Sequence, residues 1–241
     1  MIPPSGGRVE RGNPLSRKTK YDEKLLFILD QACGIFAEKG YHNSSVRDVA
    51  AATGVSPAGL YYYFQSKEEL LHLILKECLS SLLQGIRGAI VDIEDPALRL
   101  RTVIRTHLEY VRRNGKEMRV LVHEWEALTG TFGAEVRQQM REYAQLAVGL
   151  FKELFPRKTY QELRATAFGM FGMLSWVDQW HRPEKDLPLD QLADQFSSIL
   201  LGGSPLGSVD RMRRAEEDDE DPAENWSKPS SAGSILSGPG F

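Results

Sequence analysis

The sequence predicts an all-α fold in two parts, a small N-terminal helix-turn-helix unit and a larger helical domain behind it. Two observations carry this. From Tyr21 to Gly203 apolar residues recur three and four apart between capping residues, and no alternating apolar/polar segment of useful length interrupts them. Within residues 44–64, two short helical patterns flank a glycine turn, the spacing of a helix-turn-helix.

Taken in order, residues 1–19 come first: Arg8, Arg11, Arg17 and Lys18, with Lys20 just beyond, lie among Ser, Gly and Pro, which reads as a flexible basic arm. An amphipathic helix then runs from Tyr21 to Lys39 and stops at Gly40. Ser45 with Asp48 three residues on fits a capping box, so a second helix starts there. Val46, Val49 and Ala50 share a face of it, and Gly54 supplies the left-handed conformation that ends a helix without a Cβ clash. Ser56 as N-cap and Pro57 at the first helical position restart the chain, because proline's missing N–H costs nothing there. The third helix is expected over Pro57 to Phe64.

That helix carries unusual aromatic surface. Only Leu60 and Phe64, four apart, share its buried face, so Tyr61, Tyr62 and Tyr63 point elsewhere. A flat ring with a hydroxyl suits the sugars, thymine methyls and phosphates of a DNA major groove; the alternative is that the three rings cover the edge of a neighbouring domain. Lys67, at the start of the next helix, sets an ammonium beside free N–H groups, a combination that holds a phosphate. Arg17, Lys18 and Lys20 on the arm suit phosphate neutralisation or entry into a minor groove, with a solvated leader as the alternative.

From the first helix through Gly40, the segments SSVRDVAAATGVS and AGLYYYFQSKEELL, to about Leu75, the chain resembles the DNA-binding domain of TetR-family transcriptional regulators. The resemblance implies that Ser45 and Arg47 meet the DNA backbone or a base edge. It implies that the recognition helix, capped by Ser56, presents Pro57, Ala58, Gly59, Tyr61, Tyr62 and Tyr63, and that Lys67 binds a phosphate. Gly59 stands where many relatives carry a longer side chain, which shifts weight to apolar contact and shape readout. The implied partner is a near-palindromic double-stranded operator.

Beyond this unit, Ser66 and Glu69 form another capping box, opening a helix to about Gly88. Asp95-Pro96 begins the next, with Leu100, Ile104, Leu108 and Val111 on one stripe before Asn114-Gly115. Met118, Leu121, Val122, Trp125 and Leu128 trace a further helix, and Val136 to Leu154 a long one ending at Pro156. From Tyr160 to His181, one stripe holds Phe168, Gly172, Trp176 and Trp180 and another Ala167, Met170, Phe171, Leu174 and Val177; a helix apolar on two faces needs two partners. A last amphipathic helix, Leu189 to Leu200, ends at Gly202-Gly203. Two such helices from each of two subunits make a four-helix bundle and hence a homodimer, as the TetR resemblance also implies.

A ligand-responsive regulator needs a cavity whose filling moves the reading heads. Candidate lining residues are Leu108, Val111, Leu121, Val122, Trp125, Phe132, Met140, Tyr143, Met170, Phe171 and Trp176, with plain core packing as the alternative for each. His107 and His123 lie near these faces and are assigned no ligand role. The segment Phe168 to Pro183 resembles the signature of TetR regulators that respond to acyl-coenzyme A thioesters in fatty-acid or steroid breakdown, with Ser175 where asparagine is common. It implies a hydrophobic small-molecule effector, an acyl-CoA in the sharper form; Arg101, Arg105, Arg112 or Arg119 would then reach its phosphates, with a solvated helix face as the equal alternative for these arginines.

Composition bounds the remainder. A net charge of −3 leaves positive charge local rather than global. Cys33 and Cys78 have no metal-ligand spacing, no His/Cys/carboxylate set suits a metal, and no run of 18 or more apolar residues appears; no cofactor, metal or membrane is expected, and the protein is placed in the cytoplasm. No nucleophile elbow, phosphate loop or metal motif supports an enzyme. The alternative is a helical adaptor without sequence-specific DNA binding, favoured if the chain itself covers the tyrosine face. The expected domains are arm 1–19, helix-turn-helix 20–66, effector and dimerisation domain 67–203, and a disordered tail 204–241 around Glu216 to Asp221.

Overall fold

In a computed structural model, residues 14–202 are described, with side chains from Lys20 onward; residues 1–13 and the acidic tail lie outside them. Among the described residues there are nine α-helices and no strand. They are α1 (Pro14–Lys39), α2 (Val46–Thr53), α3 (Pro57–Leu60), α4 (Lys67–Ile90), α5 (Pro96–Arg113), α6 (Gly115–Glu124), α7 (Gly130–Leu154), α8 (Tyr160–Trp180) and α9 (Leu189–Leu200). The all-α expectation holds.

Local chemistry sets most boundaries. Ser45 and Asp48 form the expected reciprocal box: the Asp48 N–H donates to Ser45 Oγ at 3.3 Å and the Ser45 N–H to Asp48 Oδ2 at 2.8 Å. Lys39 Nζ also reaches Asp48 Oδ1 at 2.7 Å, and this bond, with those from Ser45, holds the Asp48 carboxyl well below the usual carboxylate range. Gly54 sits at φ 65°, where a Cβ would strain the turn. Ser56 accepts from the Gly59 N–H at 3.1 Å and Asp95 from the Ala97 N–H at 2.9 Å, each just ahead of a proline at the start of a helix.

Four expectations are corrected. First, α1 begins at Pro14 rather than Tyr21, because proline is tolerated in a helix's first turn and the pattern behind it has no breaker; Arg17 and Lys18 are helical, not part of an extended arm. Second, α3 ends at Leu60, not Phe64. Its hydrogen bonds tighten from four residues back to three, with the Tyr62 N–H donating to Gly59 O and the Tyr63 N–H to Leu60 O, since Ser66 must already be extended at φ −151° to cap α4. Third, the Ser66 cap is not a reciprocal box: Ser66 Oγ accepts from the Glu69 N–H, but Glu69 reaches back to the Gln65 N–H. Fourth, the helix expected through Leu128 gives way at Trp125–Ala127 to one 3₁₀ turn, which carries Leu128 into the core ahead of α7.

α4 is the spine, packing on α1, α5, α6 and α7, while α5 packs on α8 and α9. The buried residues form one contiguous cluster from Ile28 in α1 to Ala193 in α9. Cys33 and Cys78 are buried free thiols, and burial pushes the Cys78 thiol up to about 12.

Candidate DNA interface and effector cavity

The turn after α3 presents an aromatic surface. Leu60 and Phe64 are buried as the helical spacing requires, and Tyr62 is 72% exposed and Tyr61 exposed. Tyr63 departs from expectation. Its ring stacks on Tyr21 of α1 with centroids 5.0 Å apart and planes at 21°, so it secures the reading head to the first helix rather than facing outward. Around the two free tyrosines, Ser45, Arg47, Ser56, Pro57, Ala58 and Lys20 are exposed. Gly59 is half-buried, and a Cβ there would stand 3.0 Å from Val55 Cγ1, so glycine keeps the α3 cap tight. Among the described residues nothing covers Tyr61 and Tyr62, so these residues do not meet the condition that favours the adaptor alternative.

Lys67 is a second correction. Its ammonium turns back to donate to the carbonyls of Tyr41 and Ser44 and lies 4.3 Å from the centre of the Tyr41 ring. Those carbonyls belong to the loop between α1 and α2, where no helix supplies donors, and a cation satisfies both. The partial burial this brings lowers the lysine's pKa. In this conformation Lys67 braces the loop instead of offering itself to a phosphate.

The same loop is tied to the larger domain. The Tyr41 N–H donates to Glu124 Oε1, at the last residue of α6, over 3.0 Å. Nearby, Glu68 in the first turn of α4 accepts from both the N–H and the hydroxyl of Thr129, just ahead of α7, at 2.7 and 2.8 Å.

Between α4, α5, α6, α7 and α8 lies an apolar cavity of about 490 Å³. Of the residues expected to line it, Leu121, Val122, Trp125, Met140, Tyr143 and Phe171 do. Leu108, Val111 and Met170 do not: they are fully packed core. Phe132 lies at the start of α7 and stacks on His72 at 4.5 Å instead, and Trp176 is 65% exposed and outside the lining. Sequence reasoning missed Leu79, Leu82, His107, Met118, Arg137, Arg141, Ala144, Phe168 and Ser175. The spacing of Arg137, Met140, Arg141 and Ala144 along α7 was the available signal, masked because two of the four are charged. His107 is 2% exposed, its Nδ1 lies 2.8 Å from Tyr143 Oη, and burial pulls its pKa down to about 4.

The arginines expected to meet an effector's phosphates are elsewhere. Arg101 pairs with Asp194, Arg105 with Glu109 and Asp190, and Arg119 with Asp178; Arg112 is exposed at the end of α5. Arg101 and Arg105 tie α5 to α9, and Arg119 ties α6 to α8. Arg137 and Arg141 line the cavity itself, and Arg141, Lys152 and Arg164 line a groove of about 620 Å³ between α7 and α8; groove and cavity share Arg141, Ala144 and Phe168.

The outer face of α8 is the remaining feature. Ala167, Met170, Leu174 and Val177 are buried and Phe171 is half-buried, whereas Phe168, Gly172 and Trp176 are exposed; of the outer stripe, Phe168 also borders the cavity and Trp180 packs half-buried on the core, which leaves Gly172 and Trp176 uncovered. Ile199 on α9 is exposed as well.

A helix-turn-helix with uncovered aromatics, joined by hydrogen bonds to a helical domain that encloses an apolar cavity, defines a ligand-responsive DNA-binding regulator. Models of the bacterial regulatory proteins of the tetR family and of the tetracyclin repressor-like C-terminal domain match residues 28–74 and 94–204. The chain belongs to the TetR family and is a transcriptional regulator, not an enzyme. It is 29% identical over 183 residues to the HTH-type transcriptional repressor KstR2 of Rhodococcus jostii (strain RHA1), covering 73% of this chain and 88% of that protein. To the fatty acid metabolism regulator protein of Bacillus subtilis (strain 168) it is 25% identical over 188 residues, 75% of this chain and 95% of the relative. The structure of AibR in complex with isovaleryl coenzyme A and operator DNA superposes with a TM-score of 0.67 at 27% identity, covering 75% of this chain and all of AibR.

Proposed function

We propose that two copies of the chain pair through α8 and α9, and that the dimer represses transcription from a near-palindromic operator until an acyl-CoA thioester occupies the cavity. Tyr61 and Tyr62 of each reading head enter successive major grooves, with Ser45, Arg47 and Ser56 toward the backbone. Bacterial DNA lies in the cytoplasm, where this reading places the protein.

One observation carries the effector class. The apolar cavity abuts the basic groove, and a molecule that fills both needs an apolar chain joined to an anionic head. Arg141 sits on the boundary, and Arg164 and Lys152 lie beyond it. The names of AibR's ligand and of the fatty-acid regulator point the same way.

The test is a titration of acyl-CoAs of increasing chain length against the protein bound to a DNA duplex selected from a random pool. Release at micromolar acyl-CoA, with free coenzyme A inert, is the expected result. Operator affinity unchanged at every chain length overturns the effector class and leaves the DNA-binding assignment intact.

A further inference from the structure

Among the buried groups, His107 holds an atom that the fold leaves unused. Its Nδ1 faces Tyr143 Oη at 2.8 Å, but its Nε2 is buried with no hydrogen-bond partner, and the residue lines the apolar cavity. The count of partners fixes the tautomer. If Nδ1 carried the proton, both the Tyr143 hydroxyl proton and the Nε2 lone pair would lack a partner. With the phenol donating to Nδ1, only the Nε2 proton does, and phenols are better donors than acceptors. Phe171 packs against the Tyr143 ring with centroids 4.7 Å apart, which holds the phenol toward the imidazole.

We infer that His107 Nε2–H, the buried unpartnered donor among the polar groups lining the cavity, is a reading point that selects effectors carrying a hydrogen-bond acceptor oxygen, a carbonyl above all, within their apolar part. This rests on the proposed role of the cavity as the effector site. A buried donor without an acceptor is costly, and a ligand that supplies the acceptor gains what an apolar isostere of the same shape forgoes. Burial keeps the imidazole neutral near pH 7, so the contact is with a neutral carbonyl and not a salt bridge to a carboxylate.

The probes are octanoyl-CoA, its thioether S-octyl-CoA in which two hydrogens replace the carbonyl oxygen, and 2-decanone, which has the carbonyl without coenzyme A. The readouts are calorimetric affinity and the ¹⁵N-histidine spectrum of the full chain. The expected result is a roughly tenfold or greater preference for thioester over thioether in the wild type. The preference falls to near unity in His107→Leu while S-octyl-CoA still binds, and weakens in Tyr143→Phe, which frees the tautomer. In the wild type, 2-decanone shifts the Nε2–H resonance.

Equal affinity for the two CoA ligands, with the His107 resonance unmoved, overturns the inference and leaves the acyl-CoA reading in place; Nε2 then serves a resident water only. If neither CoA ligand binds but 2-decanone moves the resonance, the acyl-CoA reading fails and the inference stands. Binding by no probe overturns both.

Discussion

Tyr62 and Tyr63 are neighbours in sequence with opposite duties. Both rings touch Tyr21, but Tyr63 is half-buried and stacked on it, whereas Tyr62 meets it only edge-on and keeps most of its surface exposed, so Tyr62 has a face left to read with. Tyr62→Ala should weaken specific DNA binding by roughly 1–3 kcal/mol, with a smaller loss of stability than Tyr63→Ala. Tyr63→Ala should instead cost about 0.5–1.5 kcal/mol of stability from the lost ring pair. Gel-shift affinity and thermal denaturation of both variants check this, and a Tyr62→Ala variant with wild-type affinity for its operator contradicts it. At this scale the caps were legible, because Ser45–Asp48, Ser56–Pro57 and Asp95–Pro96 act within three residues. Lys67 was not. Its acceptors at Tyr41 and Ser44 lie 26 and 23 residues away, and nothing local distinguishes a lysine that braces a loop from one that awaits a phosphate.

Among the elements, α8 is the most demanding, since it is apolar on two faces and its own domain covers only one. An exposed tryptophan beside Phe168 and Gly172 is a surface that water tolerates poorly. Trp176→Glu should therefore shift the protein from dimer to monomer with its helix content intact, read by sedimentation velocity and circular dichroism. A folded variant that still sediments as a dimer removes α8 from the interface. The double periodicity is visible in the sequence, but which stripe faces inward is not, so Trp176 is open there to both a cavity and an interface role. Bulk does not decide the matter. The inner stripe is Ala167, Met170, Leu174 and Val177, buried where α8 packs on α5 and α7. The shortness of α3 was equally hidden, because Tyr61 to Phe64 keep helical spacing while the next cap pulls the backbone out of register.

In the whole molecule, the reading head and the cavity meet in α6. Met118, Leu121 and Val122 line the cavity, and Glu124 one turn on accepts the Tyr41 N–H in the loop ahead of α2. A partner 83 residues away in the chain leaves no trace in local pattern, so this link could only be seen in the fold. Glu124→Ala should leave acyl-CoA affinity within about twofold and shrink the factor by which ligand and operator exclude one another. Reciprocity requires that factor to be the same measured from either side. Calorimetry with and without operator, on wild type and variant, decides it, and an undiminished factor in the variant removes Glu124 from the coupling. The uncovered stripe of α8 also bears on dosage. With reading heads paired only through contacts between copies, operator occupancy at concentrations below the pairing constant rises with the square of the protein's abundance. A modest fall in expression then frees the promoter more steeply than a monomeric regulator would, so under the proposed pairing the aromatic face also sets how sharply a cell registers the protein's number.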